Sequence, residues 1–460
     1  MSEFDLAVVN GTLVDETGSR PADVGIRGGL VAAVAERGGL SSAARTIEAQ
    51  HKWILPGFID AHFHCRAPDH PEREDFASGT MAAAAGGVTT VLEMPVADLG
   101  VTTVRRFEAR RALAERDCYV DFGLFAGCGS LSEVEVLALA DAGAIAFKIF
   151  THSPLPSRQV AFEGLWLTEN SEILRALHLV RGTGLPCAFH TEDESLLRFY
   201  DERYKHLPDS ADRYALSRPA VVEAMAVARI SVLAEESKAR AHVVHVASRW
   251  ALDVIRVARA RGVRLTAETC PHYMFFTLDD FRELGSAAKV APPLRTLDDA
   301  QALIDGIGDG ALDIICSDHA PFIPADRDQV GMMAAPSGLP SVEIFAQLAL
   351  DAVLRGQLDL RTVVRALTAG PARVYGLFPS KGLLASGSDA DFVLYDPTAT
   401  SAVETAQWFS RSRESAGLFE GKTIHGKVTH TFVRGHPVFA QGDVVGNAGW
   451  GQMVSSTRQR

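Results

Sequence analysis

Cysteine is scarce in this sequence, and no two cysteines have the spacing of a metal-binding or redox motif. The 460 residues include six cysteines, and none of them form a C-x-x-C pair. Scattered thiols in a chain of this length do not predict the disulfide framework that stabilises small secreted domains. The cysteine pattern is therefore typical of a reducing compartment, and we expect a cytoplasmic protein.

Long apolar runs and an excess of positive charge are also missing. No stretch approaches the about 18 uninterrupted apolar residues of a transmembrane helix, and residues 1–6 lack the pattern of a secretory signal. The 57 acidic residues outnumber the 45 Lys and Arg, which gives a formal net charge of −12. Because nucleic-acid binding needs clustered Lys and Arg, we expect a small-molecule ligand and neither a nucleic acid nor a membrane as partner.

Both ends of the chain read as β structure. Residues 4–50 contain short Val-rich and Ile-rich runs with turn signals at Asn10-Gly11 and Gly28-Gly29, and residues 426–439 read as a hairpin. We therefore predict a small β-sandwich made from residues 1–53 and 381–440, followed by a tail at 441–460.

The middle of the chain, residues 54–380, alternates short apolar runs with helical segments such as 104–116 and 221–238. Strands that alternate with helices indicate βαβ units and a parallel sheet, and eight such strands are the number of a TIM barrel. Loops 151–166 and 320–337 are long and rich in Pro, Gly or Ala, so we expect them to act as lids. The eight strand candidates are 54–59, 89–94, 119–125, 144–150, 186–190, 242–246, 264–268 and 312–318.

His62 and His64 follow the first of these strands. Residues two apart in a strand point to the same face, so two imidazoles in this spacing can bind one metal ion. An isolated H-x-H pair is more often a pair of ordinary surface or hydrogen-bonded histidines. Active sites of TIM barrels lie at the carboxyl ends of the strands, which is where this pair stands.

Lys148 is unusual because it lies inside the apolar run Ala146–Phe150. A lysine in such a run usually extends its ammonium group to solvent. If it is buried instead, the amine loses its proton readily, and a neutral amine can be covalently modified.

Three more polar residues stand where an apolar run ends, namely His190, His245 and Asp318. Each one alone reads as an ordinary core histidine or, for Asp318, as a helix N-cap. Together with His62, His64 and Lys148 they place six potential metal ligands in order around one predicted barrel, which favours a metal site.

The sequence resembles the amidohydrolase superfamily over nearly its whole length. Within that superfamily it is similar to the cyclic-amide hydrolases (allantoinase, dihydroorotase and hydantoinase), and nearest to allantoinase and the L-hydantoinases. Residues 381–382 and 387–391 look like the usual return from the barrel to the sandwich. The segments that carry the resemblance are 56–64, 79–90, 147–150, 268–273, 292–295 and 317–321.

The resemblance implies two divalent metal ions per chain, most simply Zn²⁺, with Co²⁺, Mn²⁺ or Fe²⁺ as alternatives. His62, His64 and Asp318 would bind the more buried ion. His190 and His245 would bind the more exposed ion.

The resemblance also assigns a role to Lys148, which would be carboxylated on its side-chain nitrogen (N6-carboxylysine) and bridge both ions. A water between two divalent ions loses its proton near neutral pH and becomes the nucleophile. Asp318 would transfer that proton to the leaving amide nitrogen. The implied reaction is hydrolytic opening of a cyclic amide, a ureide or imide ring.

The substrate is less well defined. Arg66 stands where dihydroorotases carry an arginine that binds the substrate carboxylate, although it could instead pair with Asp69, Glu72 or Glu74. Two departures from the dihydroorotase pattern are Val96 and Phe322, which stand where an asparagine and a histidine are expected. The tyrosine of the hydantoinase pattern is also missing, because residues 151–153 read Thr-His-Ser. We therefore predict an allantoinase-like enzyme, with dihydroorotase and hydantoinase or dihydropyrimidinase as alternatives.

Two further alternatives are a one-metal deaminase of the same superfamily and a non-catalytic scaffold of the same fold. Lys148 speaks against the deaminase, because a site with one ion needs no bridging ligand. The complete set of ligands speaks against the scaffold. Similar enzymes are commonly oligomers, so we expect a homo-oligomer, either a dimer or a tetramer.

Overall fold

A computed structural model describes residues 2–97, 99–155, 158–328 and 330–456. Two sheets organise the chain, one of eight strands from its middle and one of nine strands from its two ends. This arrangement confirms the predicted fold class, a TIM barrel with a β module formed from both termini.

The eight-stranded sheet is parallel throughout, and its strands follow one another in chain order. Almost every residue in these strands is buried, as expected for a parallel sheet covered by helices. The sheet is closed by a parallel bridge between Phe63, at the end of the first strand, and His319, four residues beyond the last strand. The strands are β6 Phe58–Phe63, β7 Val88–Glu93, β8 Asp121–Gly127, β9 Ala146–Phe150, β10 Cys187–His190, β11 Ala241–Val243, β12 Leu265–Thr269 and β13 Ile314–Ile315.

Fourteen α-helices lie in the described part of the chain, all of them between β6 and the last strands of the terminal sheet. None of the described helices is both long and apolar enough to cross a membrane. They are α1 Phe76–Ala85, α2 Val104–Asp117, α3 Glu133–Asp141, α4 Asn170–Thr183, α5 Glu194–Tyr204, α6 Ala211–Ser217, α7 Ala220–Ser237, α8 Arg249–Ala260, α9 Pro271–Phe275, α10 Leu278–Leu284, α11 Leu297–Gly308, α12 Phe345–Leu354, α13 Leu360–Leu367 and α14 Ala369–Val374.

The nine-stranded terminal sheet joins the two ends of the chain through β5 (Trp53–Pro56), which pairs with β1 (Phe4–Asp15) on one side and with β14 (Phe392–Ala402) on the other. It has its own apolar core, which includes Val8, Ile26 and Phe432. The strands are β1 Phe4–Asp15, β2 Gly18–Arg27, β3 Leu30–Ala35, β4 Ala43–Glu48, β5 Trp53–Pro56, β14 Phe392–Ala402, β15 Thr423–Val433, β16 His436–Ala440 and β17 Asp443–Val444.

The predicted first barrel strand, 54–59, is divided between the two sheets. Its first half is β5 of the terminal sheet and its second half begins β6, with Gly57 between them. A Cβ atom at Gly57 would lie 2.1 Å from Thr89 Oγ1, so only glycine lets the chain pass here.

The predicted turn at Asn10-Gly11 is wrong, whereas the one at Gly28-Gly29 is confirmed. β1 continues through Asn10 as a bulge, with Asn10 at φ 63°. A bulge uses the same left-handed residue preference as a turn, so the dipeptide alone does not separate the two. Gly28 and Gly29, both at positive φ, form the two-residue connection between β2 and β3.

Part of the predicted tail packs on the barrel. The Gly451 N–H donates to the Cys118 carbonyl, and Val454 N–H donates to the Phe122 carbonyl at 2.7 Å. Residues 457–460 of the tail lie outside the described residues.

Candidate metal centre

His62, His64 and Asp318 meet at the carboxyl end of the barrel. Asp318 Oδ1 lies 3.4 Å from His62 Nε2 and 3.7 Å from His64 Nε2. One atom from each residue lies within 4.8 Å of the others, which is a spacing that can surround one metal ion. Asp318 has φ 45°, so the backbone turns sharply where β13 ends. Aspartate tolerates this conformation better than most residues do.

His190 and His245 form a second group beside the first. Their facing atoms, His190 Nδ1 and His245 Nε2, are 2.9 Å apart. The ring centroids of His62 and His245 are 5.3 Å apart, so the two groups are neighbours. Like Asp318, His245 lies just beyond its strand and has a positive φ, 39°.

Lys148 lies fully buried in β9 and does not extend to solvent. Its Nζ atom has no hydrogen-bond partner among the described residues, although it lies 5.1 Å from the Phe150 ring centroid. Burial lowers the pKa of this amine to about 8, so a substantial neutral fraction exists near neutral pH. A buried amine without a partner is costly, and its neutral form can be covalently modified.

The charge of Lys148 reaches all five other predicted ligands. Burial has the largest effect on the pKa of each of them. The Lys148 ammonium lowers the pKa of the four histidines further, and it opposes the rise that burial causes at Asp318. Because its charge acts on members of both groups, Lys148 lies in the same site as they do. The five residues are His62, His64, His190, His245 and Asp318.

The protonation states of the histidines suit metal binding. Burial lowers the pKa of His62 to about 4 and of His190 to about 3, so both imidazoles are neutral near pH 7. Neutral imidazole is the form that binds a metal ion. Asp318 differs, because burial raises its pKa to about 8 against the opposing charge of Lys148, so this carboxyl group would lose a proton when a metal ion binds.

Glu268 orients His62 of the first group (His62, His64 and Asp318). It was not among the predicted site residues. Its Oε1 atom lies 2.6 Å from His62 Nδ1, and its Oε2 atom lies 3.0 Å from His242 Nε2. Burial raises the pKa of Glu268, but His62 and His242 outweigh that effect and hold it below its usual range. The ionised carboxylate accepts the Nδ1–H of His62 and leaves its Nε2 lone pair facing Asp318. The sequence did contain one signal for this residue, because Glu268, like Asp318, is a carboxylate at the end of an apolar run.

Glu192 and Arg218 orient the second group and were also missed. Glu192 Oε2 lies 2.8 Å from His190 Nε2, and the Arg218 guanidinium lies 2.8 Å from both Glu192 oxygens. Burial raises the pKa of Glu192, but Arg218 and His190 hold it below its usual range. With its Nε2–H donated to Glu192, His190 presents the Nδ1 lone pair toward His245.

Two other groups of potential ligands in the described residues are less suitable. Asp121, Asp389 and Asp391 lie together, but the Lys381 ammonium occupies the space between them. Burial raises the pKa of the Cys316 thiol well above its usual range, so it remains protonated beside Glu268.

A cavity of about 610 Å³ opens directly above the two groups. Both predicted lid loops contribute to its wall, with Leu155 and Phe162 from one loop and Met333 and Pro336 from the other. A second cavity of about 560 Å³ adjoins it. The site is therefore large enough for a small ring with a substituent.

Lys289 fixes one of these loops. Its Nζ atom donates to the carbonyls of Met332 at 2.6 Å, Met333 at 3.1 Å and Ala335 at 2.5 Å. Tyr214 lies beneath the amine, with the ring centroid 4.4 Å away. All three ammonium donors are used in holding the loop against the cavity.

Arg66 lies at the edge of the cavity. It does not form the ion pair with a nearby carboxylate that was the alternative to substrate binding. Glu72 pairs with His70, and Glu74 accepts from Ser78. Among the described residues Arg66 has no ion-pair partner, and its one hydrogen bond runs from Nε to the Pro321 carbonyl at 3.3 Å. Its guanidinium lies 4.7 Å from the ring centroid of Phe322.

Comparison with known proteins gives a consistent result. A sequence profile of the amidohydrolase family matches residues 53–438. An allantoinase from Rubrobacter xylanophilus is 34% identical over 100% of this chain and 99% of its own length. A dihydroorotase from Anaeromyxobacter dehalogenans is 34% identical over 95% and 98%. An L-hydantoinase (dihydropyrimidinase) structure from Arthrobacter aurescens superimposes with a TM-score of 0.93 at 29% identity, covering 98% and 100%.

Proposed function

This chain belongs to the amidohydrolase family, and we propose that it is an enzyme that opens a cyclic amide by hydrolysis at the metal centre described above. It is a hydrolase of C–N bonds other than peptide bonds, like its allantoinase, hydantoinase and dihydroorotase relatives. The observation that carries this function is that two neighbouring groups of metal-binding side chains both lie within the electrostatic reach of the buried Lys148 amine.

We propose that the site binds two divalent ions, with Zn²⁺ as the first candidate and Co²⁺, Mn²⁺ or Fe²⁺ as alternatives. Four neutral imidazoles and a carboxylate are a donor set that suits these metals. His62, His64 and Asp318 would hold one ion, while His190 and His245 would hold the other. When bound, the ions would lower the pKa of water and polarise the carbonyl group that is attacked.

Lys148 would bridge the two groups as a carboxylated lysine. Its neutral amine adds to carbon dioxide, so that an N–C bond forms and the amine releases a proton. The product is a carbamate, in which two oxygen atoms share one negative charge, so the unpaired buried cation is removed. The buried, partnerless Nζ atom and its lowered pKa support this proposal.

Asp318 would transfer the proton during hydrolysis. Its side chain lines the cavity, and its raised pKa suits a group that accepts and then donates a proton near neutral pH. It would take a proton from the attacking water as the new C–O bond forms. It would return that proton to the amide nitrogen as the ring C–N bond breaks.

Allantoin is the first substrate to test, because the sequence pattern is nearest to allantoinase and an allantoinase is among the most similar relatives. The cavity wall has Val96 and Phe322 where a dihydroorotase pattern has polar partners. Dihydroorotate, hydantoins and dihydropyrimidines are the alternatives.

A substrate panel tests the function. Metal-loaded protein is assayed with allantoin, dihydroorotate, hydantoin, dihydrouracil and a cyclic imide, each at the same enzyme concentration, and ring opening is followed by loss of ring absorbance. We expect at least one ring to open at a rate that depends on the metal and on Asp318. No ring opening by fully metal-loaded protein would contradict the proposal and favour a non-catalytic role.

The assembly state and the cellular compartment stay predictions. We propose a homo-oligomer, either a dimer or a tetramer, in the cytoplasm. Exposed apolar side chains on α7 and α8, among them Val232, Trp250 and Val257, are candidates for the contact. Light scattering of the purified protein would give the subunit number.

A further inference from the structure

The four histidines of the metal centre are not oriented in the same way. His62 and His190 each have a ring nitrogen hydrogen-bonded to a buried glutamate. The Nδ1 atoms of His64 and His245, in contrast, have no hydrogen-bond partner among the described residues. A histidine that binds a metal ordinarily donates its second ring nitrogen to a carboxylate, a carbonyl or a water. Without such a partner in the described part of the protein, the direction of these two rings depends on the backbone that carries them.

A buried ion pair fixes the backbone directly after His64. Glu93, the last residue of β7, accepts the Cys65 N–H through Oε2 at 2.7 Å. Its partner is Arg110 of α2, which also donates to the Cys65 carbonyl at 2.8 Å. The two side chains, here called the β7 pair, are both buried. They therefore hold the N–H and the carbonyl of the residue that follows the ligand.

A second buried ion pair fixes the backbone just beyond His245. Glu223 of α7 accepts the Ala247 N–H through Oε1 at 2.8 Å. Its Oε2 atom lies 3.7 Å from the guanidinium of Arg295, whose side chain is only 8% exposed. These two side chains are here called the α7 pair. His245 has φ 39°, a left-handed conformation that a residue other than glycine adopts only where its surroundings hold it.

The α7 pair also supports the other histidine of the second group. Arg295 Nη1 donates to the Arg218 carbonyl at 3.0 Å. The Arg218 side chain in turn holds Glu192, which accepts a hydrogen bond from His190. The pair therefore contacts the chain at two points around the second ligand group, whereas the β7 pair contacts it beside the first group.

We propose that the two pairs are positioning residues, each for one metal ion. The β7 pair would set the direction of His64 for the ion of the first group. The α7 pair would set His245 and, through Arg218, His190 for the ion of the second group. A buried ion pair adds little net stability, because desolvation of its two charges offsets their attraction, so stability alone does not account for the pairs. This inference rests on the proposed two-ion centre.

Charge-free double variants test the proposal, because they remove a pair without leaving one charge buried and unpaired. They are Glu93→Leu/Arg110→Met for the β7 pair and Glu223→Leu/Arg295→Met for the α7 pair. Crystals are equilibrated with bicarbonate and with buffered free Zn²⁺ at a concentration that fills both wild-type positions to about nine-tenths. Anomalous scattering at the zinc edge then gives the occupancy of each position separately.

We expect an affinity loss of about tenfold or more at one position in each variant, as for loss of an outer-shell partner of a metal ligand. The α7-pair variant should lose zinc from the second group, to an occupancy of about half or less, and keep it at the first. The β7-pair variant should show the reverse. Arg110→Lys and Arg295→Lys keep the charge but not the fork of donors, so each should lower the same occupancy by less. These single variants decide the test if a double variant does not fold.

Asp313→Leu/Arg259→Met is the matched control. Asp313 directly precedes β13 at the amino end of the barrel, pairs with Arg259 and accepts the Ala267 N–H at 2.8 Å. The control therefore removes the same kind of pair on the side of the barrel away from the ions. Neither occupancy should change, even if thermal denaturation shows a lower Tm.

Unchanged occupancies in folded variants, or an equal fall at both positions, would overturn the inference and leave the proposed function standing. Zinc at fewer than two positions in the wild-type protein would contradict the proposed two-ion centre, and the inference with it. The two failures are distinguishable, because the first is seen only in the variants and the second already in the wild-type protein.

Discussion

Two buried polar clusters lie at opposite ends of the barrel, and they differ in how their charges are paired. At the carboxyl end, Lys148 Nζ, His64 Nδ1 and His245 Nδ1 have no hydrogen-bond partner among the described residues. At the amino end, Lys381 contacts three carboxylates: Asp121 at 2.7 Å, Asp391 at 2.5 Å and Asp389 at 3.0 Å.

The unpaired cluster at the carboxyl end is suited to binding ligands, whereas the paired cluster at the amino end is suited to stabilising the fold. Lys381 and Arg434 from the terminal module hold Asp121 at the start of β8, so the amino-end cluster attaches the module to the barrel. Its charges are satisfied within the protein. The carboxyl-end cluster leaves donors and acceptors unused, which costs free energy until ligands complete it. Substitutions at each end should therefore have opposite effects on activity and stability.

The largest effect is expected for Lys148→Ala. Without the bridging group, metal binding and ring opening should both fall by more than about a hundredfold, because the loss of an outer-shell partner of a ligand alone can cost that much. Chemical unfolding of the metal-free variant should show no loss of free energy, because an unpaired buried cation has been removed. Metal analysis, kcat/KM and urea titration measure the three quantities. A variant that keeps full activity would contradict the bridging role.

The opposite result is expected for Lys381→Met. Removal of the shared cation leaves Asp121 and Asp391 buried with fewer partners, which should lower the free energy of unfolding by about 3 kcal/mol. At temperatures where the variant is folded, kcat/KM should equal that of the wild-type protein. Lys427→Met, at an exposed lysine, is the control and should change neither quantity. A loss of activity in folded Lys381→Met would contradict the claim that the amino-end cluster serves stability alone.

The pH dependence of stability should distinguish the same two lysines. Burial lowers the pKa of Lys381, but Asp121 and Asp391 outweigh that effect and raise it above 10.5, so its contribution is constant below pH 10.5 and falls only at higher pH. Burial lowers the pKa of Lys148 from 10.5 to about 8, so the folded state disfavours its charged form. Metal-free protein in carbonate-free buffer should gain about 3 kcal/mol of unfolding free energy between pH 8 and 10.5 from Lys148.

Urea unfolding of the wild-type protein and of Lys148→Met across that pH range isolates this contribution. The gain should be present in the wild-type protein and missing in the variant. Parallel pH profiles for the two proteins would show that Lys148 has an ordinary environment.

A smaller effect is expected within the carboxyl-end cluster when Arg218 is changed to Gln. Glu192 would lose its ion pair and His190 would lose its fixed orientation, so the second ion should bind about ten- to a hundredfold more weakly. The first ion should bind as before, because Glu268 still orients His62. Calorimetric titration with Zn²⁺ should resolve one strong and one weakened site, and Arg198→Gln should keep both. Equal weakening of the two sites would contradict separate orienting groups.

Local sequence pattern was enough for the barrel and for the positions of the six predicted ligands. Each ligand follows an apolar run, and the carboxyl ends of parallel strands meet at one face of a barrel. The sequence was insufficient where partners are distant along the chain. Glu268 and His62 are 206 residues apart, so their hydrogen bond has no local signal.

The sheet boundary at Gly57 and the environment of Arg66 could not be predicted from the sequence for the same reason, because both depend on residues that are distant along the chain. The division of 54–59 between two sheets depends on the pairing of β5 with β14, which comes from the other end of the chain. The contact of Arg66 with Phe322 depends on how the second lid loop folds over the cavity.

The central claim is that two ions act together across Lys148, and a metal titration tests it most directly. Chelator-treated protein is supplied with bicarbonate and then with Zn²⁺ in small steps, while ring opening of an accepted substrate and bound metal per chain are measured together. The account predicts that activity rises until about two ions are bound per chain, as in two-metal sites. Full activity with one bound ion, or without metal, would contradict it.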